Sequence, residues 1–252
     1  MSFFVKQNSI VRTIWGRHDT VLFIFGGASA EFALNKAVDW LYFTGRLPAD
    51  PIGRLFSTVT YARKIVFSPE QVALQVIDRM RAIHGEVENK RNATIPDWAY
   101  RDVLFMLIHY SIASFELLER KLAEDEKEEV FRTFYRVGDR MGLKELPLNY
   151  NDWLNAREQH LNSNLQKSKY TKDLFKQYKK HLGPLRYQIL VQAQILVIPE
   201  RVRSLLNFKR SSWLKPFVPV YKITRKLKID WYLISGLLPT QYREEIKALN
   251  VV

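Results

Sequence analysis

The 252-residue chain is long enough for one large domain or two small ones, and its hydrophobic (47%) and aromatic (13%) content excludes global disorder. The absence of cysteine excludes Cys-ligated zinc, iron–sulfur clusters, thiolate-ligated heme and cysteine nucleophiles. The formal net charge of +13 is unevenly spread: residues 1–150 hold 20 Lys/Arg and 19 Asp/Glu, whereas residues 151–252 hold 19 and 7. Such a local surplus favours phosphate-bearing partners.

Neither the start of the chain nor its most apolar run predicts a targeting or membrane-spanning segment. The first 15 residues lack an uninterrupted apolar region and a small-residue cleavage site, so no signal peptide is expected. The run from Thr20 to Ala37 is interrupted by Glu31 and Asn35 and is too polar to span a bilayer. We therefore expect a cytoplasmic protein.

Helix starts are well marked in the first 150 residues. Asp50-Pro51 and Ser68-Pro69-Glu70 each place a capping residue before a proline, which is typical of a helix N-terminus. Pro96-Asp97 predicts a long helix to about Leu122, and the acidic run from Glu124 begins another that ends near Gly138 or Gly142. On the helix that begins at Ser68-Pro69-Glu70, the pattern predicts one apolar stripe, formed by Val72, Val76, Ile77, Met80 and Ile83.

Beyond Pro147 the chain becomes polar and lysine-rich, with helices expected up to Gly183-Pro184 and again from Leu185 to Val197. No strong hairpin signal occurs. The predicted fold is all-α: a single helical domain over residues 1–252, in which 1–150 form the core and 151–252 form basic C-terminal helices.

The five histidines divide into two groups. His160 and His181 lie in polar, lysine-rich surroundings, and His18 lies in a loop-like segment, so all three are expected at the surface. His84 follows Met80 by four residues and Ile77 by seven, which continues the apolar stripe. His109 is placed in the same way among apolar residues of the next helix. Both imidazoles are therefore expected to point inward, where each needs a hydrogen-bond partner or a metal; a satisfied core histidine is the alternative for either one.

Arg54 and Thr58 lie four residues apart on the first proline-initiated helix, and Arg81 precedes His84 by three. An inward guanidinium needs an anion, which a heme propionate or a core carboxylate would supply. The alternatives are a surface ion pair for Arg54 and, for Thr58, a hydroxyl that bonds back to its own helix. No sequence motif of a serine hydrolase, P-loop, dinucleotide-binding or zinc protease site is present.

Residues 50–87, DPIGRLFSTVTYARKIVFSPEQVALQVIDRMRAIHGEV, resemble the catalytic domain of the MpaB / rubber oxygenase (latex-clearing protein) family. That family has an Asp-Pro-x-x-Arg-x-x-x-Thr helix followed by a helix that ends in Arg-x-x-His-x-x-Val. The matching positions here are Asp50, Pro51, Arg54, Thr58, Arg81, His84 and Val87.

The resemblance implies a globin-like helical core that binds heme b and uses dioxygen to attack carbon–carbon double bonds of isoprenoid chains. By position, His84 would be the proximal iron ligand and Arg81 would support the ligand helix or a propionate. Arg54 and Thr58 would lie near the heme on the substrate side, and His109 would be a distal or supporting residue. An apolar helical pocket would exclude water and leave a coordination position for dioxygen.

Two departures from the family bear on the substrate. The apolar-His-Pro element of the family is replaced by Leu34-Asn35-Lys36-Ala37-Val38, and Ser57 stands where some rubber-cleaving members have lysine. The chain also lacks the extra segments that surround the channel of polymer-cleaving members. We therefore expect a smaller apolar, lipid-like or isoprenoid substrate.

The C-terminal charge supports a second hypothesis, a non-catalytic module that binds anionic membrane surfaces through residues 201–231. Aromatic and basic residues alternate there, which suits a lipid interface: Trp213, Phe217, Tyr221 and Trp231 stand among Lys215, Lys222, Arg225, Lys226 and Lys228. The alternative is a solvated basic face. A nucleic-acid partner is not expected, because charge alone supports it and no helix-turn-helix or RNA-binding signature occurs.

Overall fold

The computed structural model describes residues 2–237 and 240–250, and over these ranges the chain is helical, with isolated bridges but no sheet. The all-α, single-domain prediction is confirmed; the division near residue 150 and the globin-like arrangement stay predictions. The longer helices are α1 (Ile10–Trp15), α2 (His18–Phe32), α3 (Asp39–Phe43), α4 (Arg46–Ala49), α5 (Pro51–Phe67), α6 (Glu70–Arg91), α7 (Asp97–Leu118), α8 (Glu124–Met141), α9 (Tyr150–Ser163), α10 (Lys169–Val197), α11 (Glu200–Leu206), α12 (Val218–Lys226), α13 (Asp230–Leu237) and α14 (Arg243–Lys247).

Local sequence explains where most of these helices begin and end. The Asp50 carboxylate accepts a hydrogen bond from the Gly53 N–H (2.9 Å) and so caps α5, as predicted. Gly142 closes α8 in the left-handed conformation (φ 82°). Gly183 (φ 74°) interrupts the helical geometry inside α10, so this element is two helices joined at a kink.

Two predictions about these helices were wrong in detail. Helix α7 ends at Leu118 rather than Leu122, because Glu119 leaves the helical region (φ −122°, ψ −99°). On α6 the inward stripe is formed by Ala73, Ile77, Met80 and His84, whereas Val72 and Ile83 are exposed. Apolar residues at the edge of a stripe remain in water when no neighbouring element covers them.

Helices α2 and α7 form the centre of the domain. Both are buried on nearly every side, as expected of helices that are apolar around their whole circumference. Helices α1, α5, α6 and α8 pack around one side, and α10 covers the other side of α2. The largest fully buried side chains include Trp15, Tyr110, Phe131 and Trp153.

Helices α2 and α7 approach each other closely at Gly27. A Cβ atom there would lie 2.3 Å from a ring carbon of Tyr110 and 2.9 Å from the Val197 side chain. A Cβ at the adjacent Gly26 would meet only Leu190, at 3.8 Å. The two neighbouring glycines therefore have different steric surroundings, and only Gly27 is required for the packing.

We expect Gly27→Ala to lower the free energy of unfolding by roughly 1–3 kcal/mol, because the added methyl overlaps a ring that is held rigidly in the core. The matched control, Gly26→Ala, should be neutral or stabilising by up to about 1 kcal/mol, since alanine favours the helix. Urea unfolding of both variants measures the difference. Equal effects of the two substitutions would contradict this account.

Candidate active site

The hairpin of α5 and α6 brings Arg54 and His84 to the same level of the fold. The two antiparallel helices are joined at Ser68-Pro69, and these residues lie at nearly equal distances from that turn. Burial and then the positive charge of Arg54 lower the pKa of His84, in keeping with their positions on the hairpin. The Thr58 hydroxyl donates to the Arg54 carbonyl oxygen (3.3 Å), as in the back-bonding alternative.

His84 is partly buried and has an unsatisfied ring nitrogen. Its Nδ1 is buried and has no hydrogen-bond partner among the described residues. The ring lies edge-on to Tyr100, with centroids 5.1 Å apart. Desolvation and then the charge of Arg54 lower the pKa of His84, and the opposing effect of Glu88 is smaller. The imidazole is therefore neutral near pH 7, which is the state that coordinates a metal.

A cavity of about 230 Å³ lies beside His84, between α6, α7 and the end of α8. The Arg81 guanidinium is at its wall next to Gly142, where a Cβ would be in ordinary van der Waals contact with Arg81 Cζ, at 3.7 Å. Opposite, Glu88 accepts hydrogen bonds from the Tyr100 hydroxyl (3.2 Å) and the Ile95 N–H (2.8 Å). The lining residues are Arg81, His84, Gly85, Glu88, Asp97, Tyr100, Met141, Gly142 and Leu143.

The chemical groups at this cavity suit a heme, but the cavity is small for one. A neutral, unpartnered imidazole and a nearby guanidinium are the groups that an axial position and a propionate require. Small-molecule pockets commonly measure about 300–1,000 Å³, so the cavity would have to widen before a macrocycle could enter it. Arg54 and Thr58 do not line it. No cluster of three or more metal-binding side chains occurs in the described part of the chain. Heme iron held by one histidine does not need such a cluster.

His109 lies in a different part of the fold from His84. It follows Tyr100 by nine residues on α7, about 13 Å along the helix axis. There it hydrogen-bonds the backbone of Val197 and is close to Arg157 and Glu31. Its Nε2 is buried and has no hydrogen-bond partner among the described residues. Desolvation and then Arg157 lower the pKa of His109 to about 4.

The structure also reveals a buried network of charges centred on Glu31. Its carboxylate is fully buried and accepts two hydrogen bonds of 2.5 Å from Arg157 and one of 2.8 Å from the Tyr110 hydroxyl. His160 bridges two acids, with Nε2 3.0 Å from Glu31 and Nδ1 2.5 Å from Asp102. The prediction that His160 lies at the surface was wrong, because Glu31 and Asp102 supply partners for its buried imidazole.

The pKa shifts in this network favour the charged forms. Burial raises the pKa of Glu31, but the charges and hydrogen bonds of Arg157 and His160 outweigh it and hold the pKa far below its usual range. Burial lowers the pKa of His160, but Asp102 and Glu31 outweigh it and the net pKa is raised. Glu31 and Asp102 thus face the Arg157 guanidinium and the His160 imidazole, so both buried acids have basic partners.

A signal for this network was present in the sequence. Glu31 is the single acid in the apolar run from Thr20 to Ala37. On α9, Arg157 and His160 follow Trp153 by four and seven residues, so all three share one helix face, and all three are buried. Beside His160 and Asp102 lies a second cavity, of about 430 Å³, whose other lining residues include Arg101 and Asn164.

The family relationship follows from a comparison with known proteins. The family model described as "ER-bound oxygenase mpaB/B'/Rubber oxygenase, catalytic domain" matches residues 14–225, which is most of the chain. The chain belongs to this family. Neither a search of curated proteins nor a search of solved structures found a match. The matched range of this MpaB/rubber oxygenase domain contains both His84 and the Glu31 network, and it ends within α12.

The prediction for His18 was also wrong, whereas His181 is exposed as expected. His18 begins α2 and is only 3% exposed. Its Nε2 lies 3.6 Å from Asp230, and its ring meets Trp231 edge-on at 5.4 Å. Residues of the far C-terminal helix α13, more than 200 positions away, thus cover a histidine that local sequence placed in a surface loop.

In the described residues of this oxygenase domain, no helix is both long and apolar enough to cross a bilayer.

We expect the MpaB/rubber oxygenase domain to lose stability through His109 as the pH falls. The unfolded chain takes up this proton near pH 6.5 and the folded chain only near pH 4, so acid favours unfolding across that window. The loss between about pH 7 and pH 5 is roughly 2 kcal/mol, and His109→Asn, which can keep a bond to Val197, should remove it. Urea unfolding at both pH values measures this. The exposed control, His181→Asn, should keep the wild-type pH dependence, and an unchanged dependence in His109→Asn would contradict the assignment.

Proposed function

We propose that this protein is a heme b-dependent oxygenase that acts with dioxygen on an unsaturated apolar substrate, isoprenoid or lipid-like. Membership of the oxygenase family supports the reaction class and the use of dioxygen on a small molecule. The observation that carries the heme proposal is the neutral imidazole of His84, which has a buried, unpartnered nitrogen beside a cavity. An isolated core histidine would be expected to satisfy both ring nitrogens.

In this proposal the residues of the α5–α6 hairpin hold and orient the cofactor. His84 would hold the heme iron, and Arg81 at the cavity wall would pair with a propionate. Bound heme supplies the dioxygen chemistry that protein side chains lack. Burial and then the positive charge of Arg54 lower the pKa of His84. Arg54 and Thr58, which do not line the cavity, would face the substrate side. His109, near Arg157 and Glu31, would act from a distance by supporting α7 rather than by touching the iron.

The proposal predicts a Soret absorption band that depends on one histidine. Protein expressed with heme supplied should show the band, and His84→Ala should lose it, because His84 is the one histidine among the described residues that line the cavity. The matched control is His181→Ala, which removes an exposed histidine and should leave the spectrum unchanged. A colourless wild-type protein that does not take up hemin would exclude heme as the cofactor, and a Soret band retained in His84→Ala would exclude His84 as the ligand.

A second proposed function is attachment to an anionic membrane surface, from which an apolar substrate would also be collected. Residues 201–229 contain nine Lys/Arg and no Asp/Glu, and such basic segments are attracted to anionic lipid headgroups. This attachment could accompany catalysis or be the main role of the chain. The cytoplasmic location expected from the sequence remains a prediction.

We expect the protein to sediment with phosphatidylcholine–phosphatidylserine vesicles and much less with phosphatidylcholine alone. Raising the salt concentration should weaken the binding, since exposed charges are screened over about 10 Å or less at 0.1 M salt and above. Equal binding to both vesicle types would rule out the electrostatic contribution. Hemin-loaded and hemin-free protein should be compared, because the two proposed functions are independent.

A further inference from the structure

The short helix α12 has two chemically distinct faces. Tyr221 and Arg225, one turn apart, point into the protein, where Arg225 is buried. The opposite face carries Val220, Ile223 and Leu227, which are 57–63% exposed. Spacings of three and four residues place these three side chains in one stripe. The helix is thus amphipathic in an unusual sense, with its polar anchors inside and its apolar side chains in water.

The inward anchors fix the orientation of this helix. Asp19, at the start of α2, accepts a hydrogen bond from the Tyr221 hydroxyl (3.0 Å) and pairs with Arg225 Nε (2.6 Å). Arg225 Nη1 also donates to the Leu118 carbonyl oxygen (2.7 Å) at the end of α7. Buried ion pairs with several hydrogen bonds do not rotate freely, because breaking them leaves unpaired charge in the interior. The apolar stripe is therefore held outward.

The segments that precede and follow α12 also expose large apolar side chains. Both segments pack against α12, and a cluster of exposed apolar side chains marks an interaction site. We define the α12 surface by these residues: Trp213, Phe217, Val220, Ile223, Leu227, Ile229, Tyr232, Leu233 and Leu237.

Exposed cations surround the α12 surface. Lys215, Lys226 and Lys228 are exposed beside it, as are Lys209 and Arg210 just before it. Acidic residues are absent from 201–229. A second copy of the chain packed against this face would place like charges opposite one another, which is unfavourable. An anionic bilayer complements both features, since its headgroups pair with the cations and its acyl chains receive the apolar side chains.

We propose that the α12 surface inserts into the outer part of an anionic bilayer, with Ile223 and Leu227 among the acyl chains and the lysines at the headgroups. This insertion rests on the proposed membrane attachment but assigns the lipid contact to different residues. Tyr221 and Arg225, expected on the lipid side from the sequence, act as anchors inside the protein. Trp231 is likewise turned toward His18. Apolar insertion rather than charge then supplies the binding that remains at high salt.

The test compares Leu227→Asp and Ile223→Asp with Leu148→Asp on phosphatidylcholine–phosphatidylserine vesicles. Leu148 is a matched control because it is 68% exposed, against 63% for Leu227, and lies outside the α12 surface. Each α12 variant should weaken vesicle partitioning at least about tenfold, since a carboxylate replaces a side chain that enters the acyl region. Leu148→Asp should bind like the wild type. Circular dichroism should show unchanged helicity in all three variants, because the replaced side chains are exposed.

Fluorescence provides a second measurement on the same complex. Brominated lipids should quench part of the tryptophan emission of the bound protein, and Trp213→Phe should remove most of that quenched component. At high salt the wild type should keep a measurable fraction of its binding, whereas Leu227→Asp should lose nearly all of it.

The outcomes separate insertion from attachment. Wild-type vesicle binding that Leu227→Asp and Ile223→Asp leave unchanged would overturn insertion but leave electrostatic attachment standing. A wild type that binds no vesicles would overturn both. A lipid-free dimer in sedimentation velocity that Leu227→Asp dissociates would assign the α12 surface to a second copy of the chain, and would overturn insertion as well.

Discussion

The carboxylate of Glu31 is a fully buried charge at the contact of the two central helices, and the rest of the packing depends on its compensation. An unpaired carboxylate in this position would cost several kcal/mol. The cost is offset by four contacts from three residues: two hydrogen bonds from Arg157, one from Tyr110 and a contact with His160. A buried ion pair such as Glu31–Arg157 adds little stability compared with apolar side chains of the same shape, but breaking it is costly. We therefore infer that the pair specifies one arrangement of α2, α7 and α9 rather than adding much stability.

The same network fixes the position of the candidate active site through α7. Tyr110 and Asp102 bind the Glu31 network, and Tyr100, which lies edge-on to His84, is two residues from Asp102. A rotation or shift of α7 that moved Tyr100 away from His84 would also break the bonds of Asp102 and Tyr110. The geometry around the proposed iron ligand is therefore held by charges that lie elsewhere, with no contact between the network and His84 itself.

Sequence reasoning predicted the elements governed by neighbouring residues and missed those governed by distant ones. The Asp50 cap with Pro51 at the start of α5 and the glycine end of α8 depend on residues within one turn, and they were confirmed. The predicted Ser68 cap was wrong, because Ser68 is the C-cap of α5 and the N-cap of α6 is Pro69, which has no capping side chain. The burial of His18 and His160 depends on partners about 60 to 210 positions away, and no local pattern specifies such pairs. Arg81 and His84 line one cavity, and their roles stay predictions. Arg54 and Thr58, expected at the same cavity, do not line it, and His109 lies nine residues from Tyr100 along α7.

The uneven charge of the chain has two structural origins that composition alone does not distinguish. Part of the C-terminal surplus compensates buried acids of the first half: Arg157 pairs with Glu31, and Arg225 pairs with Asp19, at opposite ends of α2. These cations belong to the core and are not accessible to a partner. The remaining surplus is exposed, and it includes the lysines around α12, which are free to meet an anionic surface. Because Arg225 serves the first purpose, it holds α12 in the orientation that presents the apolar stripe between the lysines.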